Sequence, residues 1–334
     1  MRVTPPSGGW VLALLLASGT AAAAAVRPPR QVESAVPQPA PAAPVSSAPP
    51  SGSGALREVP AAPSSATGAP EDGPGARDGI AEARARLRSY ADDSPAAEVD
   101  RWALRLAMAD REATASALLR FRYYEPLIRR ALADHGVPAD LAFLAFVESG
   151  YRPGATSRKG AAGMWQFMGP TGRAYGLEVS AYVDERRDPI RSTYAAARHL
   201  RDLFRELGSW HLAAAAYNGG SDRVRRALRG DRAREDGAFW RSRSRLPAET
   251  RHYVPRVLAA ARVGRDPTLY GIAVPDSVPP LRFREVRVPG GVPLADVARR
   301  YSASERAVLA LNPHLTRAMT PPGRSWPVRL PLGS

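Results

Sequence analysis

The sequence contains no cysteine. That absence excludes a disulfide framework, a thiolate metal site and a lipid anchor borne on cysteine, so the fold has to stand on its apolar core. Lysine is almost missing too. Lys159 is the only one among 47 basic residues, which makes the formal charge of +15 a surface of guanidinium groups. The five histidines form no H-E-x-x-H pair, and no G-x-S-x-G or phosphate-cradling glycine motif occurs. The common signatures of zinc peptidases, serine hydrolases and nucleotide enzymes are therefore absent, and no cofactor or metal is implied.

The N-terminal region lacks an apolar run long enough to cross a bilayer. Its apolar stretch, Trp10 to Ala17, falls short of the ~20 residues a spanning helix needs. It follows Arg2 and precedes an alanine tract with A-x-A sites, so residues 1–25 read as a secretory signal peptide. Residues 26–78 are dense in Pro, Ala and Ser and read as a disordered linker. An exported chain rarely meets nucleic acid. Its positive field suits carboxylate-bearing wall polymers or an anionic membrane face, and equally a solvated surface of arginine-biased composition; the expectation is a monomer of the periplasm or cell envelope.

What is present is helical periodicity. Apolar and aromatic residues recur at helical spacing from Gly79 to Ala133, with Ser94-Pro95 able to start a helix. The run from Pro138 to Glu148 is apolar nearly all round and predicts a helix buried inside the domain. A Gly-rich polar loop follows to Gly163. Asp188-Pro189 has the form of an N-cap with proline in the first turn and leads a helix to about Leu207. Ser209 opens another, which closes at Asn218-Gly219-Gly220, and a last long helix runs from about Pro247 to Val263. After Pro279 the texture changes. Phe283 to Val288 alternates like a strand, Leu294 to Tyr301 and Ser304 to Leu311 are amphipathic, and Val328 to Leu330 reads as a returning strand. The expected fold is mainly α, with a helical domain over 79–275 and a separate β-α-α-β module over 279–334.

Glu148 is the candidate acid. A carboxyl at the C-terminal end of so apolar a helix loses hydration and faces the negative end of the helix dipole, and both effects raise its pKa. A carboxyl kept protonated near neutral pH can protonate the leaving oxygen of a glycosidic bond. No second acid falls between Glu148 and Gln166.

The neighbourhood carries a resemblance. The Glu148-Ser149 pair, the Gly163-x-x-Gln166 box and the Ala216-Tyr217-Asn218 box, in this order and spacing, resemble the lytic transglycosylases of bacterial cell walls, and within them the membrane-bound D type. Tyr182 to Pro189 and Glu249 to Pro255 support the likeness, which covers about Arg120 to Leu330. The resemblance implies a goose-type lysozyme-like (α+β) catalytic domain that cleaves the β-1,4 bond between N-acetylmuramic acid and N-acetylglucosamine in peptidoglycan without water. It implies Glu148 as general acid and then base, and Ser149 as support for its helix end. Ser157 would lie near the carboxylate, Gln166 and Met168 would contact sugar, Tyr217 and Asn218 would place a hydroxyl and an amide beside the acid, and Glu249 and Tyr253 would close the far side. Trp165, where other branches often have Met, would reshape a sugar subsite. The C-terminal module resembles a divergent LysM domain through Val286 to Gly290, Leu294 to Tyr301 and Leu309 to Pro313. Two other readings fit the same fold: a hydrolysing lysozyme, and a non-catalytic wall-binding protein.

Overall fold

The computed structural model describes residues 57–59, 81, 85, 94–231, 234–275, 278–279 and 281–332. The signal peptide expected over 1–25 and most of the linker lie outside the described residues. Among the described residues the chain is mainly helical, as expected, with one small antiparallel sheet.

The first described helix, α1 (Pro95–Met108), starts where Ser94 predicts it. The Ser94 hydroxyl accepts from the Ala97 amide at 3.1 Å, and proline occupies the first turn. Helix α2 (Arg111–Asp134) follows. The single helix predicted over Pro138–Glu148 is instead a 3-10 turn, Ala139–Ala142, followed by the seven-residue helix α3 (Phe143–Ser149). Gly150 ends it in the left-handed region, φ 59°. The remaining helices are α4 (Gly169–Ala174), α5 (Pro189–Leu207), α6 (Trp210–Gly219), α7 (Ser221–Leu228), α8 (Asp236–Ser242) and α9 (Ala248–Arg265). Helix α9 packs against α1, α3 and α6 and so forms the spine behind the candidate acid. Short side chains make this close packing possible: Ala195, Ala196 and Ala197 on α5 and Ala213 to Ala216 on α6 are all buried. Gly264 serves the same end on α9, since a Cβ there would stand 2.1 Å from the Phe143 ring.

The C-terminal module has the expected order: β2 (Leu281–Val288), α10 (Leu294–Arg300), α11 (Glu305–Leu311) and β3 (Trp326–Pro331). Strands β2 and β3 are antiparallel, with Val286 opposite Val328. A correction concerns the linker. Residues Arg57–Val59 form a strand, β1, on the other edge of β2. An edge strand offers a row of unpaired backbone groups, and these three residues carry no proline to prevent pairing.

The module is less separate than its sequence suggests. Val183, from the segment before α5, is fully buried in the module's core with Leu294, Val308, Val328 and Leu330. The Asp184 amide donates to the His314 carbonyl at 2.8 Å, the Thr316 amide donates to the Tyr182 carbonyl, and Arg324 reaches both carboxylate oxygens of Glu178 at 2.6 Å. Asp188 joins the two parts. One oxygen caps α5 by accepting from the Ile190 and Arg191 amides at 2.8 and 3.1 Å, and the other takes the Arg329 guanidinium at 2.8 Å. Burial works against the Asp188 charge, but Arg329 and His314 outweigh it and hold the carboxyl below its usual range.

Asp188→Asn keeps a cap but leaves the buried Arg329 with only the more exposed Glu285, at 3.5 Å, as a counter-charge. It is expected to cost about 2–3 kcal/mol at neutral pH, read from urea unfolding. Since the native carboxyl titrates low, its stabilisation exists above the unfolded-state pKa and is lost as pH falls through the folded one. The deficit of the variant should therefore shrink in acid.

Candidate active site

Glu148 sits in the last turn of α3, partly covered, with protein packed around its carboxyl. Burial pushes its pKa up to about 7. The Tyr253 hydroxyl, which donates to Oε1 at 2.6 Å, and the charge of Arg256 oppose that rise, and the nearby Glu249 adds to it. Glu249, Tyr253 and Arg256 stand at i, i+4 and i+7 on α9 and so share the face turned to α3. Arg256 had no place in the sequence reading. Its signal was that helical spacing, legible once Tyr253 is put beside the acid.

The loop after α3 is held from below. Ser149 is buried and its hydroxyl donates to the Met164 carbonyl at 2.8 Å while accepting from the Arg152 amide at 3.1 Å, so it ties the helix end to the loop and faces no groove. Ser157 accepts from the Ala161 amide at 3.0 Å. Gln166 donates from Nε2 to the Gly163 carbonyl at 2.8 Å and holds φ at 50°. A non-glycine residue kept in that costly region marks a loop whose shape is held by its surroundings. Gly163 is buried with φ 84°, and a Cβ there would stand 1.7 Å from the Arg186 carbonyl oxygen. Arg186 closes the loop from outside by donating to the carbonyls of Gly160 and Phe167 at 2.9 and 3.0 Å. Met168 is 43% exposed at the start of α4, free to meet a ligand.

Three expectations need adjustment. Tyr217 lies within the field of Glu148, but its hydroxyl donates to the Trp165 carbonyl at 2.8 Å rather than to the acid. Trp165 is fully buried, with its indole N–H on the Thr193 hydroxyl at 2.9 Å, so it anchors the loop to α5 and reshapes no sugar subsite by contact. Asn218 accepts from the Thr250 hydroxyl at 2.9 Å, which locks α6 to α9, and the left-handed helical cap expected there is not formed: Gly220 closes the helix with φ 85° and an extended ψ of 141°. His199 lies among Tyr175, Phe167 and Tyr217, and burial pushes it down to about 4.

The structure thus brings Glu148, Tyr217, Glu249, Tyr253 and Arg256 together. Ser157, Gln166 and Met168 lie along the adjoining loop. Tyr253→Phe removes the hydrogen bond that favours the charged form, so the Glu148 pKa is expected to rise further above 7, by up to about one unit. Carbon-13 detected titration of the carboxyl reads this directly.

A carboxyl poised near pH 7 on a mainly helical fold is the equipment of a general acid that can also act as base. Residues 125–239 match the family model of the transglycosylase SLT domain, so the chain carries such a domain. It is a homologue of membrane-bound lytic murein transglycosylase D of Escherichia coli (strain K12), at 36% identity over 182 residues, which cover 54% of this chain and 40% of that protein. It is also similar to peptidoglycan transglycosylase gp16 of Escherichia phage T7, 38% identical over 104 residues, covering 30% of this chain and 8% of that one. Among solved structures, the 70 kDa soluble lytic transglycosylase Slt70 of Escherichia coli aligns over 60% of this chain and 35% of its own, with 21% identity and a TM-score of 0.39. The chain spans less than half the length of these relatives.

Proposed function

We propose that the chain is a lytic transglycosylase of peptidoglycan, acting in the cell envelope, with Glu148 as its general acid and base. The observation that carries the reading is the Glu148 carboxyl, raised to about 7 and held by Tyr253, within a chain that bears an SLT domain. Protonated Glu148 gives its proton to the oxygen bridging N-acetylmuramic acid and N-acetylglucosamine. The neighbouring acetamido group stabilises the cationic carbon, which removes the need for a second carboxylate. Charged Glu148 then accepts the proton of the sugar's own C6 hydroxyl, and that oxygen closes on the anomeric carbon to give a 1,6-anhydro end. In this reading Gln166 and Met168 from the loop, and Glu249 from α9, border the sugar.

Digestion of purified sacculi, followed by mass analysis of the fragments, tests this. Fragments lighter by one water than hydrolytic products are expected. Ordinary reducing ends would replace the reading with a hydrolysing lysozyme, and an absence of cleavage would overturn it.

A further inference from the structure

Arg256 is held in place by an aromatic ring and not by a counter-charge. It stands one turn after Tyr253, half-buried, where α9 packs against both α1 and α3. Its guanidinium lies over the Trp102 ring of α1, 5.2 Å from the centroid, and among the described residues it forms no ion pair. An aromatic face fixes a guanidinium while leaving its charge intact, whereas a carboxylate partner would cancel most of its field. Arg105 of α1 gives the contrast: it lies over the same ring at 5.5 Å but is paired with Asp110 at 3.1 Å. Trp102 and Arg256 both fall outside residues 125–239, the stretch matched to the SLT domain.

Tyr253 and Glu249 face Glu148 from α9 together with Arg256, and Tyr217 faces it from α6. Around Arg256 itself stand Tyr253, Glu148 and Glu249, with Arg105 across from α1. Among these groups Arg256 is the cation that acts on the acid. Arginine keeps its charge throughout the working pH range even when half-buried. In the proposed reaction Glu148 passes from a neutral acid to a carboxylate packed in protein, and desolvation opposes that change. A positive charge fixed beforehand offsets the opposition as the carboxylate forms, with no reorganisation to be made at that moment. We propose that Arg256, seated on Trp102, is a positioning residue that acts through Glu148 and stabilises the carboxylate left when the bridging oxygen takes its proton. This rests on the reading of the chain as a peptidoglycan transglycosylase with Glu148 as its acid. On this account α1 serves the chemistry at one remove, since its indole holds the charge that α9 turns towards α3.

The test uses the full chain and reads the acid as well as the rate. In Arg256→Met the Glu148 carboxyl, followed by carbon-13 detected titration, is expected to titrate about one pH unit higher, because a favourable charge is lost. Arg256→Lys keeps the charge and should stay within about 0.3 pH unit of wild type. Cleavage of sacculi by Arg256→Met should fall about tenfold near pH 5.5, where the acid form dominates in both proteins, since a weaker acid gives up its proton less readily. The two rates should converge towards pH 9, because the higher pKa preserves more of the acid form. A merely structural loss would lower the rate alike at every pH. Trp102→Leu frees the guanidinium without removing it and should raise the Glu148 pKa by roughly half as much; it carries the test should Arg256→Met lose its fold. An unshifted Glu148 titration in the folded variant, or rates lowered equally across the pH range, overturns the assignment. The titration needs no turnover, so failure of the wild-type protein to cleave sacculi is seen separately and overturns the proposed activity itself.

Discussion

Glu148→Gln is expected to lower glycan cleavage by about a thousandfold or more while making the protein more stable at pH 8. The first effect follows from losing the group that both gives and takes the proton, a role commonly worth ~10²–10⁴ in rate for each transfer. The second follows from the raised pKa. Folded Glu148 titrates at about 7, against 4.5 for the free side chain. Below pH 4.5 both states are protonated and the group contributes nothing. Between 4.5 and 7 the unfolded chain releases its proton first, so rising pH favours unfolding, and above 7 the full cost of roughly 3 kcal/mol is reached. Gln does not ionise. The stability gained by the variant should therefore grow between pH 4 and pH 8, which thermal or urea unfolding at the two pH values will show. A gap independent of pH would mean that the carboxyl is not desolvated. The wild-type rate should also fall above pH 7 as the acid form is depleted.

Gly163→Ala is expected to remove more than about 4 kcal/mol of stability and most of the soluble yield. A Cβ at 1.7 Å from a backbone oxygen cannot be relieved by turning a side chain, and φ of 84° adds strain. The obstructing carbonyl belongs to Arg186, whose guanidinium also pins the loop, so any relief displaces the residues around Gln166. Gly160→Ala provides the contrast. Its φ is 81°, but nothing lies within 4 Å of the added atom, so a loss of only about 1 kcal/mol is expected. Comparable melting temperatures for the two variants would show that the close approach at Gly163 is not real.

Much of this molecule was legible in its sequence because local chemistry settles helix ends. Ser94-Pro95, Asp188-Pro189 and Ser209 each satisfy amide donors of a first turn, and each starts a helix where expected. The break before Phe143 was not legible, since Ala139 to Ala142 has no residue that forbids an α-helix; tertiary packing selects the tighter turn. Glu148 and Tyr253 could be paired only through a resemblance, because they lie 105 residues apart. Trp165 and Tyr217 were harder still. A polar atom in a sequence does not disclose its partner, and in both cases a nearby protein acceptor takes the donor that a ligand could have used.

The segment from Glu178 to Asp188 has an implication for divisibility. Cutting the chain before Leu281 would strip Val183 of its buried surroundings and leave Asp188 ionised in a pocket emptied of Arg329 and His314. The same eleven residues hold Arg186 against the loop beside Glu148. The smallest portion expected to keep that loop in shape therefore extends past the stretch matched to the SLT domain and reaches the last strand, which makes the C-terminal module a support of the site.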